Sequence, residues 1–291
     1  MNLFVFGLGY SASHFVREHR SVFSRVIGTV RSPGREPLGG DREMSILRFD
    51  GEESDPRIAE AVAASDALLV SVQPGPGSDP VLQRYTDVIA GAPRLRRIVY
   101  LSTIGVYGDH GGAWIDESAA TQPDNARQEA RVAAENAWLD LARHAAKTVF
   151  VLRLAGIYGP GRNALRDLRA GEARRIDKPG QVFNRIHVTD IGRAVAAALH
   201  RDGQGGIINV TDDEPAPATD VVSYAAGLMG VQPPPLLSFA TADLSPMARS
   251  FYAANRRVAN TALKRDLGVT LAYPTYRAGL DALWAAGEGR A

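Results

Sequence analysis

A glycine turn near the start of the chain has the residue types and spacing needed to bind a pyrophosphate. It follows an apolar run of strand length and precedes a stretch with helical spacing, and its residues are Gly7, Gly9, Tyr10, Ser11 and Ala12. Gly7 allows a tight turn, Gly9 leaves bare backbone for a phosphate, and Ala12 lets the helix pack closely on the strand. Because a helix N-terminus offers free N–H groups and partial positive charge, this GxGxxA spacing predicts a dinucleotide site.

The residues after the second predicted strand, 25–30, select between the two common dinucleotides. A site for NAD usually has an acidic residue here, because a carboxylate accepts hydrogen bonds from the ribose 2′-hydroxyl. This chain has Arg31 and Ser32 instead, with Arg35 close behind. A guanidinium stays charged and suits a phosphate, so the sequence predicts NADP, with NAD as the alternative. The competing interpretation is a solvated arginine at a strand end.

The next two predicted strands should complete the cofactor side of the site. Asp50 follows the third strand, 46–49, where its carboxylate would either reach the adenine amino group or cap the following loop. Val72 ends the fourth strand, 67–72, and Gln73 begins a glycine- and proline-rich loop that should edge the cofactor cleft.

Composition excludes several classes of protein. The 33 lysines and arginines nearly balance the 32 aspartates and glutamates, so no net field attracts nucleic acid or an anionic membrane. The absence of cysteine excludes disulfides and zinc thiolates, and the histidines lack metal-ligand spacing. With no signal peptide and no apolar run that could span a bilayer, the sequence predicts a cytoplasmic protein without a metal.

Strands alternate with helices along most of the chain. Further strands are predicted at 97–101, 148–154 and 206–210, and helices at 80–89 and 125–144. This alternation predicts an α/β fold with a Rossmann-type doubly wound parallel sheet, whose ligands bind at the carboxyl ends of the strands.

The same pattern suggests a division into a core and a smaller lobe. We expect residues 1–210 to form the NAD(P)-binding core, with a substrate-side insertion at about 156–185. Residues 211–291, with helical segments predicted at 220–229 and 256–267, should form a smaller, mostly helical lobe on the substrate side.

Three motifs beyond the glycine turn carry a family resemblance. They are Leu-Ser-Thr-x-x-Val-Tyr-Gly-Asp at 101–109, Arg-Leu-Ala-Gly-Ile-Tyr-Gly-Pro-Gly-Arg-Asn at 153–163 and His-Val-Thr-Asp-Ile at 187–191. In this order they resemble the extended short-chain dehydrogenase/reductase family, in its NAD(P)-dependent epimerase/dehydratase group. Finer features resemble the atypical YeeZ-like subgroup. The resemblance implies an oxidoreductase or an epimerase-like enzyme that acts on a small molecule.

The resemblance also reveals a departure at the catalytic pair. Family members carry a tyrosine and a lysine four residues apart on one face of the helix that follows the Ser-Thr strand. Here those places hold Arg127 and Arg131. Arginine cannot shuttle protons at ordinary pH, so the usual general acid is missing. Arg131 could still hold the ribose or phosphates of the cofactor, and Arg127 could stabilise an oxyanion or bind an acidic substrate. Alternatively, both are exposed surface arginines.

Other catalytic candidates follow from the same resemblance. Thr103 keeps the family's catalytic hydroxyl, whereas Ile104 and Gly105 replace the Asp-Glu pair of the dehydratases, which argues against dehydration. Tyr107 and Tyr158 are the two candidate replacement acids, and the alternative for both is structural packing.

Two arginines are candidates for binding the substrate. Arg162 and Arg185 lie in segments that line the substrate pocket in this family, where they would pair with a phosphate or carboxylate. The expected function is therefore NADP-dependent conversion of an unknown, acidic or phosphorylated small molecule. The alternative is a non-catalytic NADP(H)-binding sensor or regulatory module, because the Tyr-x-x-x-Lys acid/base is missing.

The resemblance further implies a homodimer. Relatives commonly associate through the helix that corresponds to 125–144. Its Ala133, Ala137, Trp138 and Leu141 could face either the sheet or a partner subunit.

Overall fold

A parallel sheet of seven strands lies at the centre of the computed structural model, which describes residues 1–32, 44–75 and 77–290. The strands are β1 (Asn2–Phe6), β2 (Arg25–Val30), β3 (Met44–Arg48), β4 (Ala67–Val70), β5 (Arg97–Thr103), β6 (Trp114–Ile115), β7 (Thr148–Leu154), β8 (Gly156–Tyr158), β9 (Arg175–Asp177), β10 (Arg185–His187), β11 (Gly206–Val210), β12 (Leu236–Ser238) and β13 (Arg257–Val258). The α-helices are α1 (Tyr10–His19), α2 (Ile58–Ala63), α3 (Pro80–Gly91), α4 (Ala126–Ala145), α5 (Ala164–Arg169), α6 (Val188–His200), α7 (Ala218–Met229), α8 (Pro246–Phe251), α9 (Thr261–Arg265) and α10 (Tyr276–Ala285). Arg35 and Pro76, two residues of the predicted cofactor side, lie outside the described residues.

The strand order of the central sheet is that of a doubly wound fold. From edge to edge it is β11-β7-β5-β4-β1-β2-β3, with parallel pairing throughout. The chain runs outward from β1 to β3 and then returns to β4 on the other side of β1. Ligands bind where the strand order reverses, so the carboxyl ends of β1 and β4 flank the expected crevice. The predicted α/β fold with a Rossmann-type sheet is confirmed.

Helices cover both faces of the sheet, which explains why its strands are almost continuously apolar. Helices α1, α6 and α9 pack on one face, and α2, α3 and α4 pack on the other. Within β1, Leu3 and Val5 belong to the first layer, and Phe4 and Phe6 belong to the second. Strands of a parallel sheet are buried on both faces, so the alternation of polar and apolar residues is lost.

Most of the predicted elements occur where the sequence places them. The strands expected at 25–30, 148–154 and 206–210 have those bounds, and α4 is shifted by one residue from the predicted helix 125–144.

The long helical segment expected over 256–267 does not form. The backbone N–H of Val258 donates to Oδ1 of Asn184 at 2.8 Å, and that of Ala259 donates to the carbonyl of Ile115 at 2.8 Å. Because these donors bond to distant segments, a helix cannot begin until α9.

A third, smaller core joins α5, α7 and α10. Its buried members are Tyr158, Leu165, Ala216, Ala225, Tyr276, Leu280 and Leu283. Because Tyr158 follows β7 almost directly, this cluster lies near the carboxyl end of that strand. None of the helices in the described residues combines the length and apolar character needed to cross a membrane.

The four residues of α4 that were candidates for a dimer interface lie on two different faces of the helix. Trp138 and Leu141 are buried against the sheet, whereas Ala133 and Ala137 are exposed. Only the two alanines remain available to a partner subunit.

Candidate functional site

The glycine turn is held between the two strands that flank β1. Gly7 has a φ of 86°, which favours glycine, and its N–H donates to Oγ1 of Thr29 at 2.9 Å. A Cβ on Gly7 would lie 3.0 Å from Cγ2 of Val72. The turn after β1 therefore contacts both β2 and the loop that follows β4.

The N-terminus of α1 has the free space and free donors that a pyrophosphate requires. Gly9 precedes the helix without a side-chain cap, and no acidic residue lies in the first turn. A Cβ on Gly9 would meet no atom within 4 Å, whereas Ser11 and Ala12 are buried against the core. A phosphate could thus approach bare backbone beside the positive end of the helix dipole.

The residues predicted to bind the adenosine end differ in their surroundings. Arg31 and Ser32 follow β2 and are exposed. Asp50 accepts hydrogen bonds through Oδ1 from the N–H groups of Glu52 and Glu53, at 2.9 and 2.7 Å, and these bonds lower its pKa. Asp50 therefore caps the loop after β3, which was the alternative to binding adenine.

Gln73 and Arg127 meet at the rim of the cleft. Nη2 of Arg127 donates to Oε1 of Gln73 at 3.4 Å, and both side chains are partly or fully accessible. The loop after β4 and the first turn of α4 are brought together here, so Arg127 is free to contact a bound molecule.

Arg131 turns toward the sheet. Its Nη1 donates to the carbonyl of Leu101 at 3.0 Å and to the hydroxyl of Tyr100 at 3.2 Å. The guanidinium also lies 5.9 Å from the centre of the Tyr100 ring. These contacts hold the Arg131 side chain between α4 and the end of β5. Arg131 is therefore not an exposed surface arginine.

Thr103 stands at the carboxyl end of β5 and is partly accessible. Its Oγ1 accepts from the N–H of Gly105 at 3.1 Å and so caps the 3-10 turn at 104–107. Because this bond uses only an acceptor lone pair, the hydroxyl proton of Thr103 remains available to a substrate oxygen.

Tyr107 does not open onto the cleft. Its side chain is fully buried, its hydroxyl donates to Oδ1 of Asn209 at 2.8 Å, and the Arg153 guanidinium lies 4.6 Å from its ring centre. Burial raises the pKa of Tyr107, which disfavours its ionised form. The structure thus gives Tyr107 the packing role that was the alternative to a replacement acid.

Tyr158 is likewise part of a core. Its ring packs edge-on against His187 at 5.1 Å, and its hydroxyl donates to the carbonyl of Thr275 at 3.4 Å. Burial, together with the nearby Asp212 carboxyl, raises the pKa of Tyr158. The Tyr107 hydroxyl is thus bonded to the buried Asn209, and the Tyr158 hydroxyl to the carbonyl of Thr275.

A buried ion pair under α4 was missed by the sequence analysis. Nη2 of Arg153 lies 2.7 Å from Oε2 of Glu135, and both residues are almost completely buried. The hydroxyl of Ser102, next to Thr103, also donates to Glu135. One sequence signal could have placed Glu135 on the inner face of α4, namely that it follows Arg131 by four residues and so lies on the same helix face.

The two candidate substrate arginines lie in different places. Arg162 is exposed, and its guanidinium lies 5.9 Å from the ring centre of Tyr10. Nη1 of Arg185 donates to the carbonyls of Phe183 and Ala216 at 2.9 and 3.0 Å, and burial lowers its pKa. Arg162 is therefore next to the glycine turn, whereas Arg185 joins the segments around Phe183 and Ala216.

Those two segments form walls of a cavity of about 450 Å³. Its other walls include Lys178, the first turn of α7, Tyr252 and Arg257. Arg256, next to Arg257, donates to the carbonyl of Gly108 in the loop after β5, so the cavity lies beside the segment that follows Thr103. Across the part of the chain that the structure describes, no group of three or more His, Asp or Glu side chains could hold a metal.

Comparison with known proteins shows that the chain is similar to members of one family. Residues 84–211 match the model of the NAD dependent epimerase/dehydratase family. The chain is 32% identical to protein YeeZ of Escherichia coli over 198 residues, which are 65% of this chain and 69% of YeeZ. It is 30% identical over 205 residues to a Streptomyces 3-diazoavenalumate denitrifying reductase, with 66% of each chain covered. A solved structure of a functionally unknown conserved protein from Silicibacter pomeroyi has 45% identity and a TM-score of 0.89, with 99% of both chains covered.

Proposed function

The chain belongs to the NAD dependent epimerase/dehydratase family, and we propose that it binds NADP at the turn between β1 and α1 to convert a small molecule. The uncapped N-terminus of α1, with its open space at Gly9, is the observation that carries this proposal. Arg31, exposed at the end of β2, supports NADP over NAD because its guanidinium would pair with the 2′-phosphate. When bound, the nicotinamide would supply or accept a hydride.

The residues at the cleft suit a reduction that needs no acid from a tyrosine. Thr103 would donate a hydrogen bond to a substrate oxygen, and Arg127 would stabilise the negative charge that develops there as the hydride arrives. The proton that completes the reduction would come from water. Arg131 would hold the ribose or a phosphate of the cofactor from beneath α4. The name of the Streptomyces relative, a reductase, supports hydride transfer as the reaction class.

We assign the substrate to the 450 Å³ cavity. Lys178 and Arg257 on its walls would pair with a carboxylate or phosphate of a small molecule, beside the Asp177 and Asp220 carboxylates that line the same cavity. In this proposal residues 1–210 supply the cofactor side. Residues 211–291, with the insertion at about 156–185, supply the substrate side.

Titration of cofactor fluorescence tests the dinucleotide assignment. We expect NADPH to bind at least about tenfold more tightly than NADH, which corresponds to about 1.4 kcal/mol for one charge-assisted phosphate contact. Arg31→Ala should remove most of this preference and leave the affinity for NADH unchanged. Equal affinities of the unaltered protein for NADPH and NADH would contradict the choice of NADP.

A non-catalytic NADP(H)-binding module is the second candidate, and the burial of Tyr107 and Tyr158 favours it. Oxidation of NADPH by a panel of small carbonyl acids, and reduction of NADP by a panel of small alcohol acids, separate the two functions. For an enzyme, Thr103→Ala should lower turnover about a hundredfold while cofactor affinity stays the same. Thr103→Ser keeps the hydroxyl and should retain activity. The binding module predicts no turnover on any member of the panel.

A further inference from the structure

We propose that Arg162 binds the cofactor pyrophosphate, so that a loop from the substrate side completes the dinucleotide site. This inference rests on the proposed binding of a dinucleotide at the turn after β1. It assigns Arg162 to the cofactor and leaves the cavity to the other basic residues.

The loop that carries Arg162 is closed by its own hydrogen bonds and attached to the first residue of α1. Gly159 and Arg162 exchange two backbone hydrogen bonds, of 2.9 and 3.0 Å. The hydroxyl of Tyr10 donates to the carbonyl of Pro160 at 3.0 Å, and a Cβ on Gly159 would lie 2.8 Å from that hydroxyl. The loop therefore cannot move far from α1 without breaking the contact with Tyr10.

The charge of Arg162 is not neutralised where the structure describes its surroundings. Its guanidinium is exposed and, among the described residues, makes no hydrogen bond or ion pair. The pKa of Tyr10 is raised by burial and also by the nearby carboxylate of Glu288. That carboxylate already accepts two hydrogen bonds, from the N–H of Gly161 through Oε1 and from Nδ2 of Asn163 through Oε2. An unpaired cation thus lies beside the helix N-terminus.

The position of Arg162 fits a diphosphate better than a substrate group in the cavity. Its guanidinium lies 5.9 Å from the ring centre of Tyr10, and Tyr10 directly follows Gly9, where the backbone is open. Arg162 does not line the 450 Å³ cavity. A guanidinium forms paired hydrogen bonds with phosphate oxygens, and the helix dipole favours the same anion. The Arg162 guanidinium and the positive end of the α1 dipole would therefore both attract the same pyrophosphate.

Binding of cofactor fragments tests this assignment separately from the choice of NADP. We expect Arg162→Ala to weaken NADPH, NADH and ADP about tenfold each, because all three contain the diphosphate. Adenosine 2′-monophosphate lacks a diphosphate, so its own dissociation constant should be unchanged. The ratio of NADPH to NADH affinity should also stay the same, in contrast to Arg31→Ala.

Matched variants control for general electrostatics and for folding. Arg166→Ala removes an exposed arginine from the next helix and should leave all affinities unchanged. Arg162→Lys should recover only part of the loss, because an ammonium cannot pair with two oxygens in one plane. Unaltered ADP affinity in Arg162→Ala, or an equal loss for adenosine 2′-monophosphate, would overturn the inference alone. Failure of the unaltered protein to bind any dinucleotide would overturn the proposed function and the inference together.

Discussion

At the scale of single residues, the cofactor assignment depends most directly on Gly9. Its φ of −84° is accessible to any residue, so conformation does not require glycine there. The packing of the protein does not require glycine either, since the position is exposed and a Cβ would meet no atom within 4 Å. Only a ligand that approaches this backbone closely, as proposed for the pyrophosphate, would require the missing side chain.

Gly9→Val should therefore fold normally and lose both dinucleotides. The branched side chain would occupy the volume of the pyrophosphate without touching the protein. Circular dichroism checks the fold, and fluorescence titration checks binding. Gly206→Val, also a glycine with open space at its Cβ but on the distant strand β11, is the control and should bind as before. Normal binding by a folded Gly9→Val variant would remove the cofactor from this turn.

At the scale of elements, α4 is the helix that positions the two arginines of the cleft. Its inner face carries Trp138, whose Nε1 donates to Oδ2 of Asp79, and Glu135, which pairs with Arg153 on β7. These buried contacts determine how far Arg131 reaches over the end of β5. A buried ion pair stabilises a protein no more than well-packed apolar residues in its place would. Removal of one partner, however, leaves an unpaired charge in the core.

Glu135→Ala should accordingly lower the free energy of unfolding by about 3–5 kcal/mol. The double variant Glu135→Leu/Arg153→Met should recover much of this loss, because neither charge then remains in the core. Chemical denaturation measures both. Asp140→Ala, which breaks the exposed pair with Arg143 on the same helix, should change stability by less than about 1 kcal/mol. A Glu135→Ala variant as stable as the Asp140→Ala control would show that the buried pair does not hold α4.

At the scale of the whole molecule, buried titratable groups at the ends of β10 and β11 shape the response to pH. Burial raises the pKa of Asp212 to about 8 and lowers that of His187 to about 4. Asp212 thus favours the folded state in its protonated form, and the stability it contributes is lost as pH rises through 8. His187 favours the folded state when neutral, and its contribution is lost as pH falls from 6.5 toward 4.

Between pH 6.5 and 8 the carboxyl dominates the balance, because the unfolded state loses only the remaining half proton of His187 there. The unaltered protein should lose on the order of 1 kcal/mol of unfolding free energy over that interval, from about 1.4 kcal/mol for each pH unit with a slope that flattens near the Asp212 pKa of about 8. Asp212→Asn cannot ionise, and its Oδ1 can still accept the N–H of Glu214, so the variant should not show this loss. Urea denaturation at several pH values compares the two proteins. Parallel pH profiles would mean that Asp212 is already ionised at pH 6.5.

The sequence by itself determined the features that depend on neighbouring residues. The alternation of apolar strands and helices predicts the parallel sheet, because a strand buried on both faces must be apolar over its whole length. The glycine turn is equally local, since Gly7, Gly9 and Ala12 each meet a requirement of one strand–turn–helix unit.

Only the tertiary structure decided which polar side chains reach the cleft. The ring of Tyr107 is buried by Arg153 and Asn209, and Tyr10 is held by Pro160, a residue 150 positions away. A motif specifies the type and spacing of its own residues, but the burial of a hydroxyl depends on what distant segments place against it. The candidate acids therefore lie in the cores, and Arg162 lies beside Tyr10 at the start of α1, for reasons that no local pattern contains.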